Sequence, residues 1–200
     1  MVNLCSMKYR MLEKTQKHKG FFRIDAYRLE HQTFEGGTLE IVREHLERGN
    51  AVAILLYDEQ HDEVLLIEQF RIGPAVAGDK AWLIEVVAGM VDAGEDIEQA
   101  ARREAVEESG YLPERLQSLG GYYSTPGGSS EWIDLFLGYV DRDQPVAKGG
   151  GEASEHEDIQ PFWLSRQEAM QWLEQGKINS GGPMLCLLRA FGCQGLVQRG

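Results

Sequence analysis

The residues best suited to chemistry in this 200-residue chain crowd into one short stretch. Gly89-Met90-Val91-Asp92-Ala93-Gly94-Glu95 is followed, after a short spacer, by Arg103-Glu104-Ala105-Val106-Glu107-Glu108-Ser109-Gly110-Tyr111. Asp96–Ser109 contains no Gly or Pro and is rich in Ala, Glu and Arg, so it reads as a helix that Gly110 stops. The spacing places Glu104, Glu107 and Glu108 on one helix face, where like charges repel. Taken alone, such a trio is a solvated acidic face. If the carboxylates converge, a hard cation can neutralise them, and oxygen donors on a helix suit Mg²⁺ or Mn²⁺. No His or Cys stands close by to favour zinc. Arg103 can orient a neighbouring carboxylate through a charge-assisted bond. Gly89 and Gly94 permit a tight loop that brings backbone carbonyls, that of Ala88 among them, toward a metal.

Several elements must hold this stretch in place. Met1–Lys19 is locally basic and reads as a frayed end or an edge strand; Phe21–Leu29 reads as a strand and Leu39–Leu46 as a strand or short helix. Asn50–Tyr57 and Glu63–Gln69 read as strands joined through the polar Asp58–Asp62 in a hairpin. Gly73–Lys80 reads as a loop, and Trp82–Val87 as one strand ending at Ala88-Gly89. After the acidic helix come strands Leu116–Tyr123 and Trp132–Tyr139, separated by Ser124-Thr125-Pro126-Gly127-Gly128-Ser129-Ser130. Asp141–Asp158 is a long polar loop in which Gly149-Gly150-Gly151 reads as a flexible hinge before an acidic run. Ile159–Leu164 reads as a strand, Ser165 with Glu168 as a capping box opening a helix to about Glu174, and Pro183–Phe191 as an apolar helix. This order implies an α/β fold, a mixed sheet with helices packed on it.

Composition narrows the partners. Asp and Glu number 32 against 20 Lys and Arg, a formal charge of −12, which leaves no basic stripe for general nucleic-acid binding. Small anionic substrates remain compatible, because a bound divalent cation reverses the local sign. Apolar runs such as Ala51–Tyr57 fall far short of the ~20 residues a membrane helix needs. Met1–Lys19 carries no apolar run of the signal-peptide kind, so a cytoplasmic location is expected. The cysteines Cys5, Cys186 and Cys193 are odd in number and lack C-x-x-C spacing, which predicts free, mostly buried thiols. A chain of this length buries roughly 70% of its unfolded surface and needs no staple to fold.

The acidic segment resembles the Nudix box, G-x5-E-x7-R-E-U-x-E-E-x-G-U, where U is aliphatic. Gly89, Glu95, Arg103, Glu104, Glu107, Glu108 and Gly110 match in register; Ala105 and Tyr111 stand where bulky aliphatics are usual, at packing positions. The resemblance implies a Nudix fold, a mixed β-sheet sandwiched between helices. It also implies hydrolysis of a nucleoside diphosphate linked to another moiety. By the same resemblance Glu104 and Glu108 are the main Mg²⁺ ligands, Glu107 and the Ala88 carbonyl contribute, and Glu95 and Arg103 support them. Leu66–Arg71, Trp82–Gly89 and Ser124–Glu131, with Pro126 at its expected interval after the box, resemble the ADP-ribose pyrophosphatase branch of the family.

That branch implies a homodimer exchanging N-terminal strands, with 1–48 as a dimer-forming β extension and 49–200 as the hydrolase domain. Arg71 and Arg43 are then expected on the substrate phosphates, which a guanidinium meets with paired donors. Phe21 or Phe22 is expected to stack on adenine, Glu85 to touch substrate or brace the sheet, and Pro126 and Gly127 to border it. In the acidic loop the resemblance makes Glu155 the general base and Glu157 an extra metal ligand, with exchange of the two roles left open; His156 is read as exposed loop. The implied reaction is Mg²⁺-dependent hydrolysis of ADP-ribose to AMP and ribose 5-phosphate, with no covalent intermediate. The alternatives are another nucleoside diphosphate sugar such as GDP-mannose, a non-catalytic ADP-ribose sensor, or a hydrolase of oxidised nucleoside triphosphates.

Overall fold

A computed structural model describes residues 7–152 and 156–192. The chain forms two compact units, one built from the sequence up to Asn50 with Tyr123–Trp132, the other from Ala51–Tyr122 with the sequence from Ile133 on.

The first unit is a three-stranded antiparallel meander of β1 (Tyr9–Lys19), β2 (Arg23–Gln32) and β3 (Thr38–Glu47). Leu39–Leu46 is therefore strand, and β1 is an edge strand. Asp25 on the central strand is fully buried. Burial alone would raise its pKa, but the guanidinium of Arg23 at 2.6 Å and the ammonium of Lys14 at 3.0 Å hold the carboxyl below its usual range. The turn Thr125–Ser129 is tied to β3 by the Leu46 N–H, which donates to the Gly128 carbonyl at 2.8 Å, and by the Ser129 hydroxyl, which donates to the Leu46 carbonyl at 3.0 Å.

The second unit is a seven-stranded mixed sheet. Its main path runs β10 (Ile159–Ser165), β5 (Glu63–Phe70), β4 (Ala51–Asp58), β9 (Trp132–Tyr139), β8 (Arg115–Tyr123). Strand β4 is parallel to β9 and antiparallel to β5. Nearly every residue of β4 is buried, and its side chains alternate between two cores, as a strand covered on both faces requires. Val52, Ile54 and Leu56 meet Ala100, Ala101 and Ala105 of the acidic helix, while Ala53 and Leu55 meet Ala169, Cys186 and Leu187 from the helices on the other face. Those helices are α3 (Arg166–Glu174), where the Ser165 hydroxyl accepts the Glu168 N–H, and α4 (Gly181–Leu187), which continues into a π-helical turn Leu188–Gly192. Burial pushes the Cys186 thiol up to about 12, so it is an inert core group; Cys5 and Cys193 lie outside the described residues. Among the described residues no helix is long and apolar enough to cross a membrane.

Two readings from sequence are corrected. Residues 73–80 are not simply loop: α1 (Ile72–Ala77) occupies most of the segment, with Pro74 tolerated in its first turn. Gly78 ends it in the left-handed region, at φ 77°. The single strand expected over Trp82–Val87 is two, β6 (Trp82–Glu85) and β7 (Val87–Met90). Strands β4 and β5 pair only over Leu56–Asp58, beside the hairpin, and then diverge. The later run changes partner across that gap, β6 pairing with β5 and β7 with β4. The run, apolar but for Glu85, carries no sign of such a switch.

The hairpin predicted over Asp58–Asp62 is present and is organised by a buried carboxylate. Asp58, 1% exposed, accepts the N–H groups of Gln60, His61 and Arg142 and sits 3.0 Å from the His61 ring. Burial works to raise its pKa, but these donors outweigh it and hold the carboxyl at about 2. Asp58→Ala orphans several of these donors, so a loss of about 2–3 kcal/mol is expected. The stabilisation is complete above the unfolded pKa of about 3.9 and is lost as pH falls through about 2. Denaturant unfolding of both proteins between pH 7 and 2 checks this: the difference between them must shrink only below about pH 4.

Candidate active site

Helix α2 (Ile97–Glu104) starts at Asp96, whose carboxylate accepts the Glu98 and Gln99 N–H groups. Its end is not regular helix as the sequence suggested: Ala105–Ser109 widens into a π-helical turn, closed by Gly110 at φ 84°. Such turns add a residue within a helix and recur at functional sites. Here the turn carries Glu107 and Glu108, and its residues Ala105, Glu108 and Ser109 are buried.

Glu108 is the most unusual side chain of the site. It is 2% exposed, and one carboxylate oxygen accepts the Ala88 N–H from β7 at 3.0 Å. Burial pushes its pKa up to about 8, against the pull of that N–H; the charges of Glu104 and Glu157 push it further, and Arg71 opposes them. Burial likewise raises Glu104, with Arg103 opposing and Glu107 and Glu157 adding to the shift. Gly89 is required by the Glu104 carboxylate: a Cβ at position 89 would lie 2.0 Å from its Cδ.

Arg103 gathers the outer acids. Its Nε and Nη2 grip both oxygens of Glu95 at 3.0 and 3.1 Å, and Nη2 also donates to the Met90 carbonyl. Its Nη1 reaches Glu104 at 2.7 Å and Glu107 at 3.1 Å. The Glu95 carboxylate also accepts the Asp92 N–H, which closes the loop between β7 and α2. Arg71 and Glu85 meet as well, Nε to Oε2 at 2.6 Å.

Residues 47–185 match the NUDIX domain family model. The chain belongs to the Nudix family. An ADP-ribose pyrophosphatase of Escherichia coli (strain K12) is 42% identical over 172 residues, covering 85% of this chain and 81% of that one. A GDP-mannose pyrophosphatase of Yersinia pestis (strain Pestoides F) is 35% identical over 170 residues, 84% of each chain. A crystal structure titled ADP compounds hydrolase has a TM-score of 0.71 at 19% identity, over 92% of each chain, and so shares the fold.

The Nudix box therefore lies where its motif predicts, on a strand–loop–helix of the second unit. Among the described residues no three His, Cys, Asp or Glu side chains form a complete cation cage, and Arg103 engages Glu104 and Glu107. The donor set still fits a hard divalent cation. Two carboxylates, buried Glu108 and partly buried Glu104, have their charged forms disfavoured until a countercharge arrives. All the side-chain donors are oxygens, and a glycine clears the space in front of Glu104.

The structure brings Arg71, Glu85, Ala88, Glu95, Arg103, Glu104, Glu107, Glu108 and Glu157 into the second unit. Glu157 accepts the Glu152 N–H at 3.2 Å, and His156 is exposed at φ 58°. Glu155 lies outside the described residues. Arg43, Phe22, Pro126 and Gly127 belong to the first unit. Arg43 is exposed on β3; Pro126 and Gly127 form the turn over Thr125–Ser129. Phe21 is 98% exposed and Phe22 41%, so neither is a core residue of this chain; Phe22 contacts the Phe21 ring edge-on, with the Arg48 guanidinium 5.7 Å above it.

Sequence reasoning missed Gln69, on β5 two residues before Arg71. It is 6% exposed and its amide nitrogen has no protein partner. The available signal was an amide close behind the apolar run Val64–Ile67 of the same strand.

Proposed function

We propose that this protein catalyses Mg²⁺-dependent hydrolysis of the pyrophosphate bond of ADP-ribose, giving AMP and ribose 5-phosphate. The observation that carries the reading is the pair of buried Glu108 and partly buried Glu104 in an intact Nudix box, on a chain 42% identical to an ADP-ribose pyrophosphatase. Glu104, Glu107, Glu108, the Ala88 carbonyl and Glu157 would hold Mg²⁺, with Mn²⁺ as a substitute. When bound, the cation neutralises charge on the phosphoryl oxygens and acidifies water.

The chain's own groups do the rest. Arg71 and Arg43 bind phosphate oxygens, and Glu85 aims the Arg71 guanidinium through their 2.6 Å bond. Phe22 stacks on the base, and Pro126 and Gly127 border the substrate. Arg103 orients Glu104 and Glu107. Glu155 accepts a proton from water as the water oxygen bonds to one phosphorus; the bond from that phosphorus to the bridging oxygen breaks, and the second phosphate leaves. The working form is a cytoplasmic homodimer joined through residues 1–48, and residues 49–200 form the hydrolase domain.

GDP-mannose is the competing substrate, favoured by the 35% identical GDP-mannose pyrophosphatase. Product analysis with purified protein, Mg²⁺ and a panel of sugar nucleotides separates the two. ADP-ribose must have the highest kcat/KM; a higher value for GDP-mannose overturns the substrate assignment. The loop roles have their own test. Glu155→Gln is expected to lower kcat about 10²-fold with little change in the Mg²⁺ concentration needed for half-activity, whereas Glu157→Gln is expected to raise that concentration. The reverse pattern exchanges the two residues.

A further inference from the structure

The glycine run 149–151, whose composition suggests a hinge, is pinned to the end of the acidic helix. The Gly150 N–H donates to the Glu108 carbonyl at 2.8 Å, and the Gly151 N–H donates to the Glu107 carbonyl at 3.1 Å. Carbonyls at a helix end lack partners within the helix, so the loop supplies what the π-helical turn leaves open. Two residues beyond Glu108, the Gly110 carbonyl accepts the N–H groups of Val146 and Ala147 at 2.8 and 3.1 Å.

The fit is close enough to exclude side chains. Gly149 has φ 68°, and a Cβ there would stand 2.4 Å from the Ser109 carbonyl carbon and 2.6 Å from the Gly110 nitrogen. These are backbone atoms, so neither can swing aside. The run continues to Glu157. A Cβ on Gly151 would lie 2.7 Å from the Glu157 Cβ. The Glu157 carboxylate accepts the Glu152 N–H, the Glu157 N–H donates to the Glu152 carbonyl at 3.4 Å, and the Ile159 N–H donates to the Gly150 carbonyl at 3.2 Å. Unbroken contacts thus lead from the backbone of Glu107 and Glu108 to the side chain of Glu157. Ordering three glycines costs more entropy than ordering any other residues, so space and φ explain the run better than mobility does.

We propose that Gly149, Gly150 and Gly151 form a rigid latch that sets Glu157 against Glu104 and Glu108, which makes them positioning residues for the hydrolysis. The inference rests on the reading of those carboxylates as the reaction centre. Because the latched carbonyls belong to Glu107 and Glu108 themselves, the loop follows any tilt of the helix end and the spacing between the acids is preserved.

Three variants and one physical measurement test it. Gly176→Ala is the control: Gly176 has φ 71° but open space around it, so alanine there reports backbone strain alone. Gly149→Ala adds the backbone collision, and Gly151→Ala presses on Glu157. With ADP-ribose and saturating Mg²⁺, kcat is expected to fall about 10- to 100-fold in both latch variants. KM should change little, and Gly176→Ala should keep wild-type kcat. In metal-free wild-type protein the Gly150 and Gly151 amides must exchange slowly with solvent, and Gly149→Ala must speed both. Fast exchange in the wild type overturns the latch even if no variant folds; unchanged kcat in folded Gly149→Ala and Gly151→Ala overturns the positioning role. Failure of the wild type to hydrolyse any nucleoside diphosphate sugar overturns the underlying reading instead, and leaves the exchange result intact.

Discussion

Glu108→Gln is expected to cut kcat about 10³-fold, the loss that several kcal/mol of missing charge stabilisation produces, and to leave the fold intact. Glutamine retains an oxygen to accept the Ala88 N–H at 3.0 Å, so the tie between β7 and the π-helical turn survives. It also removes a buried ionisable group that faces Glu104 and Glu157. Metal-free protein should show the consequence in stability. A carboxyl held at about 8 in the fold and near 4.3 when unfolded binds its proton more tightly in the native state. Wild-type stability must therefore fall as the pH rises from about 4 to about 8, a decline that the glutamine variant lacks. Thermal unfolding of both proteins across that range, with turnover measured alongside, checks the two effects together. A fully active variant removes Glu108 from the reaction.

Gly89→Ala is expected to lower kcat about 10²–10³-fold with little change in unfolding midpoint. The new Cβ would fall 2.0 Å from the Glu104 carboxylate carbon. Gly89 sits in β7 without a positive φ, so alanine strains no backbone there. The collision is with the tip of a flexible side chain, which moves away cheaply. The fold survives, but Glu104 loses its place, and a misplacement of about 1 Å at a reacting centre alone costs about 10² in rate. A crystal structure or carboxylate-labelled NMR spectrum showing Glu104 unmoved, together with wild-type turnover, overturns this account. The same substitution at Gly94, where nothing lies within 4 Å but φ is 86°, reports backbone strain without the collision.

Much of the second unit was legible because its signals are local. The apolar run Ala51–Tyr57 announces the strand β4, and Asp96 and Gly110 mark the two ends of the acidic helix. The division of Trp82–Met90 between two partners was not legible, because the change of neighbour depends on β4 and β5 diverging. Helix α1 was hidden by Gly73 and Pro74, turn formers that a first helical turn also accepts. Arg71 and Glu85 were each readable as candidates, but their bond joins the residue after β5 to the last residue of β6 and has no signature in either segment.

From residue order alone came the Nudix box, its acids and the glycines that flank them, because a helix converts spacing into a shared face without help from the rest of the chain. The tertiary structure decided three other things. It made Glu108 the buried acid, since only packing of the π-helical turn on the sheet removes its water. It made Arg103 the hub of four groups, since Met90 and Glu95 reach it from outside the helix. It also turned a glycine run from apparent hinge into a clasp, since that depends on which backbone atoms lie against it in space.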